Sequence, residues 1–310
     1  DTCRRQRQMC IRDRYMRSQS EFTDYDFDGS ALSTLIDTLA YNTYYTAFNT
    51  NMVVNELFID SATLRDNVVA IAKQLGYRPK SATAPTAYVS FTATYGNPTT
   101  DTELILKKGT GFISSFDNNV YQYVVTDDVK AQVINDVATF TNVEVKEGTQ
   151  LVNTFTVNTS LKSQKFILDN PNIDTNTIRV KVFPTGGSFN EPYLVADNIL
   201  GVDATSKVFF LDEIEDQRYE ILMGDGVLGK KLENNARIEV SYLTTAGPES
   251  NGVRTFVFSG VLENPNGVTP SNITTSITST VASAGGEEIE STQKIKYTAP
   301  KAYGTQERAV

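Results

Sequence analysis

A chain of 310 residues with 40% apolar side chains, a net charge of −9 and no histidine can build two or three domains with real cores, but it lacks the commonest general base and metal ligand. Both cysteines, Cys3 and Cys10, fall within the first fourteen residues, so the rest of the chain has no disulfide framework and no thiolate zinc site. No run of about 18 apolar residues is present to cross a membrane as a helix, and no apolar segment follows the basic N-terminus as a signal peptide requires.

The first fourteen residues differ from everything after them. They hold five Arg and two Asp; without them, 23 basic residues face 35 acidic ones and the charge becomes −12. Arg4 to Asp13, read back into codons, looks like the translation of a common transposon-derived sequencing adapter, and the trailing bases permit Arg14. The other reading is a basic arm for nucleic acid or a partner. Residues 1–20 are therefore set apart as a non-native or disordered tail. The acidic remainder argues against nucleic-acid binding, which leaves a basic footprint.

Residues 21–79 predict a helical hairpin. Leu32, Leu35, Ile36, Leu39 and Thr43 fall at helical spacing, with Ala47 and Phe48 continuing the stripe and Met52, Val53, Leu57 and Phe58 extending it. Ser30 is the candidate N-cap, with Asp24, Asp26 and Asp28 near the positive end of the helix dipole. Asp60-Ser61 breaks the pattern and caps a second helix carrying Leu64, Val68, Ile71, Ala72 and Leu75, which stops at Gly76 before Pro79.

From residue 80 the period becomes two. Short apolar runs follow at Tyr88–Phe91, Ile105–Leu106, Phe112–Ile113, Val120–Val125, Val137–Val145, Leu151–Val157, Lys165–Leu168, Ile178–Phe183, Val208–Leu211, Tyr219–Met223, Ile238–Tyr242 and Thr255–Phe258, separated by Gly, Asn, Asp and Pro. Such a series predicts antiparallel sandwiches or barrels. A boundary near Asn170-Pro171-Asn172 divides a β domain at 80–165 from a second at 166–260. Gly247–Phe258 has the pattern to rejoin the sheet begun near Tyr88, which would nest the second domain in the first; the sequence leaves this open. Residues 259–285 read as a polar connector. A helix is expected over Glu287–Lys296, ending near Thr298 because Pro300 disfavours helix in the residue before it. Residues 261–310 are thus a connector and the start of a further, truncated domain. The fold class is α+β: an N-terminal α-helical hairpin, then mainly antiparallel β-sandwich or barrel-like domains.

Four motifs invite chemistry. Asp24-x-Asp26-x-Asp28-Gly29 opens like an EF-hand loop, but Leu35 stands where the bidentate Glu belongs; acidic entry to a helix is the better reading. Gly224-Asp225-Gly226-Val227-Leu228-Gly229 matches the dinucleotide fingerprint by letter, but a strand follows where a helix must. Gly224, Gly226 and Gly229 are therefore structural turn residues. Asp212, Glu213, Glu215 and Asp216 crowd after a strand, as in a solvated turn, whereas a glycosidase sets two carboxylates across a cleft. Tyr41, Tyr44, Tyr45 and Phe48 form an aromatic patch expected to wrap most of the first helix. Packing against the second helix and the β domain competes with burial against a partner, since Tyr is enriched in interfaces. With Leu39, these four are the candidate partner interface. No catalytic, cofactor or metal residues are assigned.

Several stretches then fit together. Asp26–Asn42, Asn51–Val69 and Leu75–Pro79 resemble the opening of the baseplate wedge subunit of T-even-type contractile-tail phages, a relative of the baseplate J family. Tyr219–Gly229, Ile238–Tyr242 and Gly247–Gly252 look like that family's β-domain signature, and Ala299–Val310 resembles its entry into a further domain. The likeness runs over about residues 22–310 in family order. It implies a non-enzymatic structural subunit of the virion, assembled in the host cytoplasm. The subunit would pair with a second copy of itself and with other wedge and hub proteins around the tail hub, holding the sheath extended until infection. It also implies further chain beyond Val310. The alternative from the residues alone is a virion β-sandwich protein binding a receptor or carbohydrate, against which the absence of Trp counts; a carboxylate-based glycosidase or lyase is a third reading.

Overall fold

The computed structural model describes residues 31–161, 164–187, 189–196 and 201–305. The chain forms two compact units, residues 1–67 and 68–310. Ser30 and the Asp24–Gly29 motif lie outside the described residues.

In the first unit, helix α1 runs Ala31–Glu56. The chain leaves it through a turn organised by the Glu56 carboxylate. Oε1 accepts from the Thr63 N–H at 2.8 Å and from the Thr63 hydroxyl. Oε2 accepts from the Leu64 N–H at 3.2 Å and the Asn67 amide at 2.9 Å. These bonds hold Thr63 and Leu64 outside the helix, so α2 spans Arg65–Gln74 instead of starting at Ser61. Asp66 in its first turn and Lys73 in its last complement the helix dipole. It ends in a Schellman motif: Tyr77 N–H reaches Ala72 O and Gly76 N–H reaches Lys73 O, with Gly76 at φ +78°.

The second unit holds two sheets. The first strands are β1 (Thr86–Tyr95), β2 (Glu103–Leu106), β3 (Gly111–Phe116), β4 (Asn119–Val125), β5 (Val129–Ile134) and β6 (Val137–Glu147). Asp117-Asn118 and Asn135-Asp136 close two hairpins with positive φ at both central positions, the primed-turn geometry that matches strand twist. Seven strands of a second sheet follow: β7 (Thr149–Thr156), β8 (Phe166–Leu168), β9 (Ile173–Phe183), β10 (Glu191–Val195), β11 (Val208–Glu213), β12 (Tyr219–Met223) and β13 (Arg237–Thr244). The chain then returns to the first sheet with β14 (Val257–Phe258), β15 (Leu262–Glu263) and β16 (Ile273–Ala284), and ends in helix α3 (Thr292–Thr305).

The first sheet is ordered β14-β3-β4-β6-β5-β2-β15, with β1 between β6 and β16, and curls into a nearly closed barrel. The second runs β7-β13-β9-β10-β11-β12-β8, antiparallel except for β10 beside β11. Its whole chain is carried between β6 and β14, so it is inserted in the barrel sheet. Alternation builds each core. In β1, Ala87, Val89, Phe91, Ala93 and Tyr95 all point inward. Phe91 stacks on Phe140 at 4.7 Å and on Phe258 at 5.5 Å, with Phe112 edge-on at 5.7 Å. The second core gathers Leu168, Ile173, Val180, Phe209, Ile221, Ile238 and Tyr242.

Composition misled in three places. Residues 259–285, expected to be a connector, contain β15 and the twelve-residue β16; its Thr and Ser suit an edge strand with few buried positions. Strands β5 and β10 were also missed: β5 alternates with Lys and Gln, and β10 opens on Glu191-Pro192 with only Tyr193-Leu194-Val195 behind it. Finally, α3 begins at Thr292, where Ser291 caps it (Lys294 N–H to Ser291 Oγ, 3.3 Å), and continues through Pro300. Its buried Ile295 and Ala299 hold it by packing, which outweighs the one backbone bond that proline removes.

Candidate partner interface

Helix α1 carries its apolar residues outside. Tyr41, Tyr44, Tyr45 and Phe48 are 56%, 36%, 41% and 50% exposed, and Leu39 is 58% exposed. Because α1 is unbroken, the spacing i, i+3, i+4, i+7 puts the four rings on one stripe about 100° wide; they do not wrap the helix. The stripe continues to Met52, 53% exposed, whereas Leu39 falls on a different face with Leu35 and Val53. Tyr45 sits at the stripe's middle, 4.4 Å from the Tyr41 ring and edge-on to Tyr44 at 5.7 Å. Neighbouring rings thereby restrict one another's rotamers, so less side-chain entropy is lost when the stripe is covered. Two hydroxyls on the helix, Thr43 and Thr50, bond back to the Leu39 and Thr46 carbonyls at 2.8 Å.

Glu56, at the foot of this helix, has its carboxyl pulled down to about 2 by hydrogen bonds, first from Asn67 and then from Thr63. It stays charged at neutral pH and fixes where α1 ends.

The other candidates are accounted for by structure. Gly224–Gly229 turns between β12 and β13 with no helix after it. Gly226 and Gly229 have φ of +96° and +87°, and a Cβ on Gly224 would lie 2.3 Å from the Gly229 backbone. Asp225 accepts from the Val227 and Leu228 N–H groups at 2.8 Å. Lys230, where a phosphate ligand would be sought, pairs with Glu191 at 2.8 Å, and Lys207 reaches the same carboxylate at 3.1 Å; those two bonds lower the Glu191 carboxyl. In the acidic run, Asp212 pairs with Lys73 at 3.6 Å and Asp216 with Arg218 at 3.8 Å, while Glu213 is buried. Among the described residues, no three His, Cys, Asp or Glu side chains converge as a metal site would require.

Three of the buried carboxylates that escaped the sequence reading tie distant segments together. Glu147, 5% exposed, accepts from Thr245 Oγ1 at 2.6 Å and Ala246 N–H at 3.0 Å. It thus clamps the two crossovers that join the sheets. Burial pushes its carboxyl up against those two bonds. Gly148 beside it has φ +129°, and a Cβ there would lie 2.4 Å from Thr244 O. Asp174 accepts from Ala84 N–H at 3.1 Å. Glu290 receives Tyr77 OH at 2.8 Å and Lys80 N–H at 3.0 Å; burial, with Glu290 next, pushes the Tyr77 phenol up to about 12. An acid closing an alternating apolar run, as at Val143-x-Val145-x-Glu147, was the available signal. A groove of about 1340 Å³ lies over the crossovers, with Glu147 in its lining and already bonded.

Residues 6–77 match the family described as baseplate wedge protein gp6-like, helical domain. The matched span contains all of α1 and its aromatic stripe, and it begins inside the adapter-like stretch. Over 314 aligned residues the chain is 27% identical to the baseplate wedge protein gp6 of Enterobacteria phage T4, covering 96% of this chain and 46% of that protein. The chain is thus similar to a baseplate wedge protein over nearly all of its length. The resemblance read from Asp26–Pro79 and Tyr219–Gly252 therefore extends over nearly the whole chain, which spans under half the length of its relative.

Proposed function

We propose that this relative of the wedge subunits is itself a structural subunit of a contractile-tail baseplate wedge. It works by protein–protein contacts around the tail hub, supports the sheath through contraction, and has no catalytic role. Its partners are a second copy of itself and other wedge and hub proteins; it is assembled in the host cytoplasm and carried in the virion. The observation that carries this reading is the exposed Tyr41–Met52 stripe lying within the segment that matches the gp6-like helical domain. An uncovered aromatic stripe on a helix of 26 residues fits a subunit whose helix is completed by another chain. The domain geometry of such a subunit shifts when the baseplate changes state.

Co-expression of the full-length gene with its neighbouring tail genes tests this. A complex of defined stoichiometry is the expected result. A chain that stays monomeric and binds carbohydrate would instead favour the receptor-binding alternative.

A further inference from the structure

Four basic side chains gather where the barrel sheet adjoins the inserted sheet, on a chain whose net charge is −9. Lys108 lies in the turn between β2 and β3, Lys146 on β6, and Arg179 and Lys181 on β9. The first three line a cavity of about 100 Å³ together with Asp127 and Glu144. Among the described residues, none of the four cations forms an ion pair. Asp128 is already engaged, by the Lys107 ammonium at 3.8 Å and by the Lys108 N–H at 2.7 Å. Glu239 stands opposite Lys181 on β13 without pairing with it.

Two of these cations are set in place by backbone contacts and not by a counter-charge. The turn that carries Lys108 is fixed by its own N–H bond to Asp128 and by Gly109 N–H to Val125 O at 2.9 Å, with Gly109 at φ +83°. Arg179 Nη1 donates to Asn176 O at 3.0 Å and to Ile178 O at 3.1 Å. The remaining donors of its planar fork are left for a ligand. Partial burial holds the Lys108 ammonium below the usual lysine range; Arg179 and Lys181 push the same way, against Asp127 and Asp128. Like charges brought together out of water disfavour one another, and an anion placed between them reverses that cost.

We propose that the cavity lined by Lys108, Lys146 and Arg179 binds a small oxyanion carrying one or two negative charges. The Arg179 fork matches two oxygens of a phosphate or a carboxylate, and the amides of Gln150 and Asn176 in the same lining offer further donors. A volume of about 100 Å³ admits a group the size of several waters. Three cations against two carboxylates leave the lining positive by one, with Lys181 alongside, which suits a small anion. A nucleic-acid backbone would instead meet Asp127, Glu144 and an acidic chain. The site lies wholly within the second unit and is independent of the wedge reading.

The full chain is titrated with inorganic phosphate by calorimetry at pH 7, with chloride holding the ionic strength constant. Saturable binding at one site is expected, with the thermal midpoint raised by about 4 °C at roughly ten times the dissociation constant. Lys108→Gln and Arg179→Gln should each weaken binding at least tenfold, whereas Lys130→Gln, on β5 outside the cavity, should keep it within twofold. In chloride alone Lys108→Gln should melt no lower than its parent, because repulsion is relieved. Acetate in place of phosphate separates the two sources. Saturable acetate binding that the same two changes abolish assigns the site to a carboxylate, and phosphate binding alone assigns it to a tetrahedral anion. No saturable binding of either anion overturns the proposal. So does phosphate binding that survives both changes, or that falls equally with Lys130→Gln. A Lys108→Gln chain that melts well below its parent in chloride also overturns it, since Lys108 would then be satisfied within the fold.

Discussion

Truncating Phe48 separates an interface role from a packing role more cleanly than changing any of the three tyrosines, because among the described residues this ring makes no ring–ring contact. A phenylalanine side chain presents on the order of 200 Å². With 50% of Phe48 exposed, ~100 Å² is free to be covered, which at 25 cal/mol per Å² comes to about 2.5 kcal/mol. Phe48→Ala should therefore weaken binding to a wedge partner roughly 70-fold. The isolated chain should melt within about 2 °C of wild type, since a surface change away from packing is worth under ~0.5 kcal/mol. Binding is read by titration calorimetry with the co-purified partner, and stability by thermal unfolding. A variant that binds within twofold of wild type, or that melts many degrees lower, would refute the assignment of the stripe to a partner.

Four further outcomes follow from the same geometry. Phe91→Ala removes the ring at the centre of the barrel stack and should cost about 4 kcal/mol in denaturant unfolding; a loss below about 1 kcal/mol would mean the stack does not organise that core. Glu56 is a carboxylate whose folded pKa is depressed, so its contribution is present above the unfolded value near 4.5 and is lost as pH falls through about 2. Amide protection at Thr63 and Leu64 should hold to pH 4 and fade toward pH 2, and its disappearance by pH 4 would contradict the Glu56 turn. Glu147 is shifted upward, so its burial penalty is absent below the unfolded pKa and grows as pH rises through the folded one. Glu147→Gln keeps an oxygen acceptor for Thr245 and Ala246, and should melt at or above wild type at pH 7 with the gap closing at pH 4; a large drop at pH 7 would show that the charge itself is needed. Gly148→Ala meets both the Thr244 carbonyl and an unfavourable φ, and should destabilise by about 2 kcal/mol, again by denaturant unfolding.

Helix α2 and most core strands were legible because their burial is periodic, and α1 because its apolar residues recur at helical spacing although they are exposed. Val68 and Ala72 recur at helical spacing, and Val89, Phe91 and Ala93 alternate. Where function or an edge set the composition, the signal failed. Strand β16 buries little besides Ser283, so its Thr and Ser pattern matched a linker. The switch of sheets at Gly148 has no local mark beyond the glycine, since β6 and β7 both alternate and only long-range pairing assigns them to different partners. The aromatic residues of the candidate interface stand out in the sequence, but their arrangement on one stripe did not until α1 proved continuous from Ala31 to Glu56. The clamps at Glu147, Asp174 and Glu290 join segments about 90 to 210 residues apart, a separation that no local window spans.

The insertion of one sheet inside the other has a consequence in time. During synthesis the strands β1–β6 emerge first, yet β1 must wait for β16, whose Thr280 faces Val89 across nearly two hundred residues of chain. All strands of the inserted sheet, by contrast, lie between Thr149 and Thr244 and are complete as soon as that stretch leaves the ribosome. Domains tend to fold as units in the order they are made, but here the second-made sheet is the first able to finish. Once folded, it draws Gly148 and Thr245 together and shortens the loop that the barrel must close. The last strand to arrive, uncharged and half uncovered, then seals the barrel, so a newborn chain stalled before β16 would display an open hydrophobic trough along β1.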